Sequence, residues 1–314
     1  MDPVGGASSS SAEEPRYVKL IQEIETECKV CGHCGTMFGV GKARGDCVIC
    51  TDDRQLGLLP WGQSWGTYSQ LRRLEAPLLL RNAERDLVEI SYTTKRQRCF
   101  LILNPFGNIL WGSTTFLDDA AIVTIKKLGG IRAIAVSHPH ELFGYAKWAV
   151  TFQCPVYIHE RDKNLVVHDT EFIETWDGEE LALCSQIKLI RLGGHYDGGA
   201  ILHWTNNGLD QDGKGVILCA DMLQVGEDGQ TVSSMRSYHN FIPISESDVQ
   251  RIIWKLLSVE YERLYASGNI RDLPVNAKVL TNLSLEKYAC VIHIPEDEKE
   301  KIRDLVEQRL HLYQ

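Results

Sequence analysis

The chain has 314 residues, of which 44% are hydrophobic and 24% are charged, and its net charge is −9. This length predicts one large domain or two unequal ones, and the composition excludes a mainly disordered protein. The negative charge disfavours a nucleic-acid partner, because phosphate backbones are bound by basic surfaces. We therefore expect a globular protein without a nucleic-acid partner.

The first 15 residues, MDPVGGASSSSAEEP, are small and polar and are predicted to be disordered. They contain neither the apolar run of a signal peptide nor the arginines of a transit peptide. No stretch of the sequence approaches the roughly 18 apolar residues of a membrane span. We therefore expect a cytoplasmic protein with no membrane partner. In a reducing compartment, its ten cysteines are expected to hold metal rather than to form disulfides.

Residues 16–60 are predicted to form a compact metal-binding segment of the zinc-ribbon or rubredoxin type. It contains two Cys-x-x-Cys turns, Cys31 with Cys34 and Cys47 with Cys50, separated by twelve residues. Each turn directs two thiolates to one point, so the pair completes a tetrahedral sulfur site with a structural role. Cys28 lies three residues before Cys31 and is a competing ligand. The glycine that follows Cys34 favours the pair of Cys31 with Cys34. Four thiolates suit zinc or iron, and we expect zinc because nothing else indicates electron transfer.

Residues 75–314 are predicted to form an α/β domain, because strand-like and helix-like patterns alternate along them. The predicted strands cover residues 87–92, 99–103, 109–111, 131–136, 156–159, 187–192, 200–204 and 216–220. The predicted helices cover residues 117–128, 142–151, 248–265 and 296–313.

Four polar residues follow predicted strands in this domain. His138 and His140 come after the strand at 131–136, and we expect both imidazoles on one face of an extended chain, since Pro139 favours extended geometry before it. His195 follows two glycines after the strand at 187–192, and Asp221 directly follows the strand at 216–220. Strand ends are where α/β folds keep their sites, so these four residues are the candidate metal ligands.

The residues in these positions resemble the metal motifs of the metallo-β-lactamase superfamily over about residues 75–280. The resemblance rests on Ser-His-Pro-His-Glu-Leu at 137–142, Gly-Gly-His at 193–195 and Cys-Ala-Asp at 219–221. The cysteine turns, Asp-Asp-Arg-Gln at 52–55 and Met-Arg-Ser-Tyr at 235–238 resemble a branch with a zinc-knuckle segment ahead of the hydrolase domain. The resemblance implies an αββα sandwich with the metal at one edge of the two sheets.

The sequence departs from the superfamily pattern His-x-His-x-Asp-His, because Leu142 and Phe143 occupy the last two matching positions. Neither side chain can bind a metal. The resemblance therefore implies one zinc ion, held by His138, His140 and His195, with Asp221 beside it or bound to it.

Three imidazoles leave one zinc position open for water and lower the pKa of that water. The expected function is therefore a mononuclear zinc hydrolase whose zinc-bound hydroxide attacks a small-molecule ester, thioester or amide, with Asp221 as the catalytic residue that holds the water. A catalytically decayed metal-binding scaffold and an iron redox protein are the alternatives.

Each of three further residues near the expected site has two possible roles. His159 is expected to be a hydrogen-bonded structural residue rather than a neighbour of the ligands, and His239 is a candidate substitute ligand or substrate contact. Glu141 is a candidate base, but a glutamate that opens a helix is also favoured by the helix dipole. The substrate and the oligomeric state do not follow from the sequence.

Overall fold

The computed structural model describes residues 15–57, 60–93, 97–205, 214–267, 271–291 and 296–310. The predicted disorder of residues 1–14 and the predicted helical residues 311–313 lie outside these ranges. None of the described helices is long and apolar enough to cross a membrane.

The first large sheet has seven strands in the order β10-β9-β8-β7-β6-β5-β4. Its strands β4 to β7 are antiparallel, and β7 to β10 are parallel. The strands are β4 (Leu79–Glu84), β5 (Leu87–Ser91), β6 (Arg98–Ile102), β7 (Ile109–Trp111), β8 (Ala133–Ala135), β9 (Val156–His159) and β10 (Ile173–Trp176).

The second large sheet has five strands in the order β11-β12-β13-β14-β19. Its strands are β11 (Glu180–Cys184), β12 (Ile187–Arg191), β13 (Ala200–Trp204), β14 (Val216–Ala220) and β19 (Arg263–Ala266). Strand β13 is antiparallel to both β12 and β14, and β14 is parallel to β19. Strands β12, β14 and β19 therefore run in the same direction and end at the same edge of the sheet. Two short hairpins follow β14, formed by β15 (Gln224–Val225) with β16 (Val232–Ser233) and by β17 (Met235–Ser237) with β18 (Ile242–Pro243).

Seven helices lie within the described ranges. They are α1 (Arg16–Thr26), α2 (Tyr68–Arg72), α3 (Asp119–Lys127), α4 (Tyr145–Phe152), α5 (Glu246–Ser258), α6 (Ala277–Val291) and α7 (Glu296–Leu310). Helix α5 begins at an N-cap in which the Ser245 hydroxyl accepts a hydrogen bond from the Asp248 N–H, and Val259 ends it in extended geometry.

The predicted helix at 248–265 is therefore too long, because its last residues form strand β19. Leu264 packs among the helices on the outer face of the second sheet, whereas Tyr265 packs between the two sheets. Successive side chains of a strand point to opposite faces, so a strand can place neighbouring residues in two different apolar layers. A helix could not do so with adjacent residues.

The helices cover the outer faces of the two packed sheets. Side chains of α1, α3 and α4 pack on the first sheet, and side chains of α5, α6 and α7 pack on the second. A third apolar cluster lies between the sheets, with Phe100 and Trp111 on one side and Leu202 and Trp204 on the other. The predicted αββα sandwich is thereby confirmed.

The predicted metal-binding segment at 16–60, called the cysteine-rich segment below, packs directly on this sandwich. Its strands β1 (Lys29–Cys31) and β2 (Met37–Phe38) form a small sheet with β3 (Trp65–Thr67), in the order β2-β1-β3. The Met37 N–H donates to the Phe143 carbonyl at 2.9 Å, and the Thr115 hydroxyl donates to the Gly35 carbonyl at 2.8 Å. The segment is therefore hydrogen-bonded to the loops around the histidine motif.

Candidate metal centres

The four predicted cysteines come together in the N-terminal segment. The Sγ atoms of Cys31, Cys34, Cys47 and Cys50 all lie within 4.8 Å of one another. The Cys31–Cys50 and Cys34–Cys47 Sγ distances are 3.7 and 3.8 Å. A tetrahedron with metal–sulfur bonds of about 2.3 Å has edges of about 3.8 Å, so this spacing fits a tetrathiolate zinc or iron site.

Neighbouring polar groups support this thiolate cluster. Gln63 donates from Nε2 to the Cys31 sulfur at 3.3 Å and accepts from the Cys47 N–H at 3.0 Å. Cys28 lies apart from the four, with its sulfur 3.9 Å from Nε2 of His168. Burial raises the pKa of Cys28 to about 11, which keeps it a neutral thiol and a poor metal ligand.

The second candidate centre lies at the edge where β12, β14 and β19 end. His195 follows β12, and Asp221 follows β14 directly. His138 comes from the other sheet, three residues after β8. Ser137 fixes this junction, because its hydroxyl donates to the Ala200 carbonyl at 2.7 Å and its own carbonyl accepts from the Ala200 N–H at 3.0 Å. The two sheets are thus joined beside the first ligand.

The geometry of His138, His195 and Asp221 fits a bound metal. One ligand atom from each lies within 4.8 Å of the others, and His138 Nε2 is 3.6 Å from Asp221 Oδ2. His138 Nε2 and His195 Nε2 are buried and have no hydrogen-bond partner among the described residues. Nδ1 of His195 lies 3.1 Å from the Met235 carbonyl, which leaves Nε2 free to bind. Buried nitrogens without partners are costly unless a ligand occupies them, so these residues fit a metal ion.

His140 lies next to His138, His195 and Asp221 but is not one of the three residues whose ligand atoms lie within 4.8 Å of one another. Its ring centroid is 6.2 Å from that of His138, and its buried Nε2 has no partner in the described structure. The expected extended geometry over residues 138–140 is wrong beyond His138, because Pro139–Leu142 forms a 3-10 turn. Proline is tolerated at the start of a helical turn, where its missing N–H is not needed.

Burial keeps the three histidines neutral. It lowers the pKa of His138 well below the usual range and that of His140 to about 4, and it also lowers the pKa of His195. Neutral imidazole is the form that binds metals. Glu141 lies beside them, and burial, followed by the charge of Asp221, raises the pKa of its carboxyl well above the usual range.

Asp221 is held by a chain of contacts that the sequence did not indicate. Ser267, which follows β19, donates a hydrogen bond to Asp221 Oδ1. The preceding residue, Ala266, offers its carbonyl to Arg98 Nε at 2.9 Å, and Arg98 also pairs with Asp272. The carboxylate of Asp221 is thereby connected through β19 to the opposite sheet.

Two sequence motifs meet next to the metal-binding edge. Arg54 donates from Nε to the His195 carbonyl at 2.6 Å, and Arg236 forms a bidentate ion pair with Asp53 at 2.8–3.1 Å. The Ser237 hydroxyl donates to the Arg54 carbonyl at 3.0 Å. The motifs at 52–55 and 235–238 were visible in the sequence, but their contact was not, because the contacting residues are 183 positions apart.

A cavity of about 910 Å³ opens beside the ligands. His140, Glu141, His195, Asp221 and Arg54 are among the residues that line it. Further lining residues come from the loops and hairpins after β14 and β19, and they include Gln224, Tyr238, His239, Phe241 and Arg271. The volume lies within the range of about 300–1,000 Å³ that is typical of small-molecule sites in proteins.

The other two histidines lie in different surroundings. His159 is buried, with Nε2 3.0 Å from the Gly178 carbonyl and Nδ1 accepting from the Arg161 N–H at 3.2 Å. These bonds agree with the structural role expected for it. His239 is exposed and lines the cavity, where a bound molecule would reach it.

Comparison with solved structures gives the class of fold. The chain is similar to a DIM-1 metallo-β-lactamase exposed to ceftazidime, with 14% identity, a TM-score of 0.50, and coverage of 68% of this chain and 99% of that one. The metallo-β-lactamase FIM-1 from Pseudomonas aeruginosa in its mono-zinc form also matches, with 12% identity, a TM-score of 0.49, and coverage of 68% and 97%. The match to DIM-1 shows that the protein has the metallo-β-lactamase fold.

Comparison by sequence gives the family. The uncharacterized protein YmaE of Bacillus subtilis (strain 168) is 38% identical over 241 residues, which cover 75% of this chain and 86% of that protein. The chain belongs to the same family as YmaE. No protein-family model matches the sequence.

Proposed function

We propose that the protein is a zinc-dependent hydrolase that acts on a small-molecule ester, thioester or amide. The observation that carries this proposal is the convergence of His138, His195 and Asp221, with unpartnered imidazole nitrogens, beside a cavity that His195 and Asp221 line. A zinc ion bound there would activate water and polarise a carbonyl group.

Within this proposal, the residues of the chain have distinct roles. His138 and His195 would hold the metal, and His140, whose buried Nε2 has no partner among the described residues, would be the third imidazole. Asp221, the proposed catalytic residue, would orient the attacking water through Oδ2 while Ser267 fixes Oδ1. The polar lining of the cavity, which includes Arg54 and Arg271, would orient the substrate.

We also propose that the four cysteines hold a second zinc ion with a structural role. All four positions of the tetrahedron are filled by sulfur, which leaves no open position for a substrate. The cytoplasmic location and the small-molecule partner remain predictions.

The test of the proposal combines metal content with hydrolysis. Wild type, His138→Ala and a control variant, His203→Gln, would be compared by zinc analysis and by turnover of p-nitrophenyl acetate, of a thioester and of a p-nitroanilide amide. His203 is the control because it lies in β13 away from the ligands, with Nε2 2.8 Å from the Glu260 carbonyl. We expect two zinc ions per chain in wild type and in His203→Gln. We expect His138→Ala to retain one zinc and to lose at least about 100-fold of the turnover, because metal activation of the water is lost.

The outcomes separate the alternatives. Two zinc ions without turnover of any ester, thioester or amide would overturn the hydrolase and leave a metal-binding scaffold. Visible absorption from iron at the thiolates would overturn the structural zinc and indicate a redox protein.

A further inference from the structure

Arg54 contacts residues on both sides of the histidine site, although it belongs to the cysteine-rich segment. Its Nε donates to the His195 carbonyl at 2.6 Å. Its guanidinium lies 4.2 Å from the centre of the Tyr196 ring, and that ring stacks on the His138 imidazole at 4.9 Å and 22°. Arg54 thus contacts the backbone of His195 directly and the ring of His138 through Tyr196.

Arg54 is itself held by the segment that carries the thiolates. Its Nη1 pairs with both carboxylate oxygens of Asp52, at 2.9 and 2.8 Å, and only 12% of its side chain is exposed. The turn that contains Cys50 leads directly into this pair, because the Thr51 and Asp52 N–H groups donate to the carbonyls of Cys47 and Ile49. The position of Arg54 therefore depends on the fold of the thiolate turn.

We infer that Arg54 is a positioning residue for the histidine metal site and couples that site to the thiolate cluster. The inference rests on metal binding at the proposed site but not on hydrolysis. Arg54 restricts the direction of the His195 imidazole through its hydrogen bond to the His195 carbonyl. It restricts the His138 imidazole through its cation–π contact with Tyr196, which stacks on that ring. Residues that orient metal ligands in this way contribute strongly to metal affinity.

A second contact from the same segment supports this coupling. The Met37 N–H donates to the carbonyl of Phe143, three residues after His140. Phe143 has a φ of 26°, a geometry that a bulky side chain rarely adopts and that its surroundings must impose. The cysteine-rich segment is thus bonded to the loop of His138 and His140 as well as to the loop of His195.

The test measures the affinity of each site for cobalt(II), which distinguishes sulfur from nitrogen ligands by its absorption spectrum. The full chain would be titrated as wild type, Arg54→Ala, Arg54→Lys and the control Arg44→Ala. Arg44 is the control because it lies in the same segment and, among the described residues, donates only to the Gly41 carbonyl at 3.1 Å.

We expect Arg54→Ala to raise the dissociation constant of the histidine site about 10- to 100-fold, while the thiolate–cobalt band remains. Arg54→Lys should recover only part of this loss, because one ammonium cannot reproduce a planar, forked donor that also stacks. Arg44→Ala should match wild type. If Arg54→Ala fails to fold, the reduced affinity of Arg54→Lys decides the question.

Equal histidine-site affinity in wild type and both Arg54 variants would overturn the inference. An equal loss in Arg44→Ala would overturn it too, since any disturbance of the segment would then be sufficient. Tight cobalt binding that depends on Arg54, in a protein without hydrolytic activity, would support the inference while the proposed hydrolase fails. A wild-type chain that binds cobalt only at the thiolates would overturn both.

Discussion

The thiolate cluster and the histidine site differ in how the chain builds them. The four cysteines come from two short turns between Cys31 and Cys50, and their sulfurs already have tetrahedral spacing. The histidine site takes ligands from both sheets, between His138 and Asp221, and opens on a cavity. A closed site built from adjacent turns suits a structural ion, whereas an open site built from distant strand ends suits chemistry. The difference in ligands and in construction indicates different roles for the two sites.

The largest expected effect comes from removing one thiolate. Cys47→Ser should lose one zinc per chain and lower the free energy of unfolding by more than about 4 kcal/mol, because the metal replaces a core in such small segments. His195→Ala should also lose one zinc but destabilise the chain less, since the sandwich around it has its own apolar layers.

Zinc analysis and denaturant unfolding would measure this contrast. Cys290→Ser is the matched control, because Cys290 is exposed and lies outside the cluster. If His195→Ala proved the more destabilising of the two variants, the division into a structural and a functional site would be wrong.

A smaller effect on the free energy of unfolding is expected from pH, through a histidine between the cysteine-rich segment and the sandwich. Burial lowers the pKa of His168 to about 4, and this imidazole faces Cys28. The unfolded chain takes up this proton near pH 6.5, and the folded chain resists it until about pH 4. The stability that neutral His168 contributes is therefore present above pH 6.5 and is lost as the pH falls to about 4, up to about 3 kcal/mol.

The measurement compares the free energy of unfolding of wild type and His168→Gln between pH 7.5 and 4. Contributions from the other histidines cancel in the difference between the two proteins. His168→Gln should show the shallower loss of stability. Parallel curves for the two proteins would show that His168 titrates alike in the folded and unfolded states.

The smallest expected effect concerns Phe241 at the mouth of the cavity. This side chain is 81% exposed, and its φ of 55° lies in the left-handed region that disfavours bulky residues. Phe241→Gly should leave the stability unchanged or raise it by up to about 1 kcal/mol, because glycine adopts this geometry without strain. Thermal unfolding would measure it.

If the Phe241 side chain contacts substrate, the same variant should raise KM and leave the zinc content unchanged. A marked loss of stability would show instead that the aromatic ring packs in the folded state.

The sequence predicted those parts of the sites that depend on local spacing. The Cys-x-x-Cys turns fix their own geometry, and His195 and Asp221 could be placed because they follow apolar strands. The arrangement of His138 and His140 was wrong, since a 3-10 turn replaced the extended chain. Strand β19 was also missed, because it is only four residues long, begins shortly after helix α5 ends at Ser258, and its apolar residues extend the helical pattern.

Long-range contacts could not be predicted from one sequence. Arg54 and the His195 carbonyl are 141 positions apart, and Ser267 and Asp221 are 46 apart. Nothing in the local pattern of a serine or an arginine specifies such a partner. The motifs at 52–55 and 235–238 stood out as unusual, but only the fold showed that they are neighbours.

The paired hydrogen bonds between Ser137 and Ala200 have a consequence for motion. They join the two large sheets one residue before His138, so that one sheet cannot slide over the other at the edge that carries the candidate metal ligands. The ligand distances should therefore stay constant during thermal fluctuation. Entry and exit of small molecules would then depend on the β15–β16 hairpin, which lines the cavity and does not include the Met235 carbonyl that orients His195.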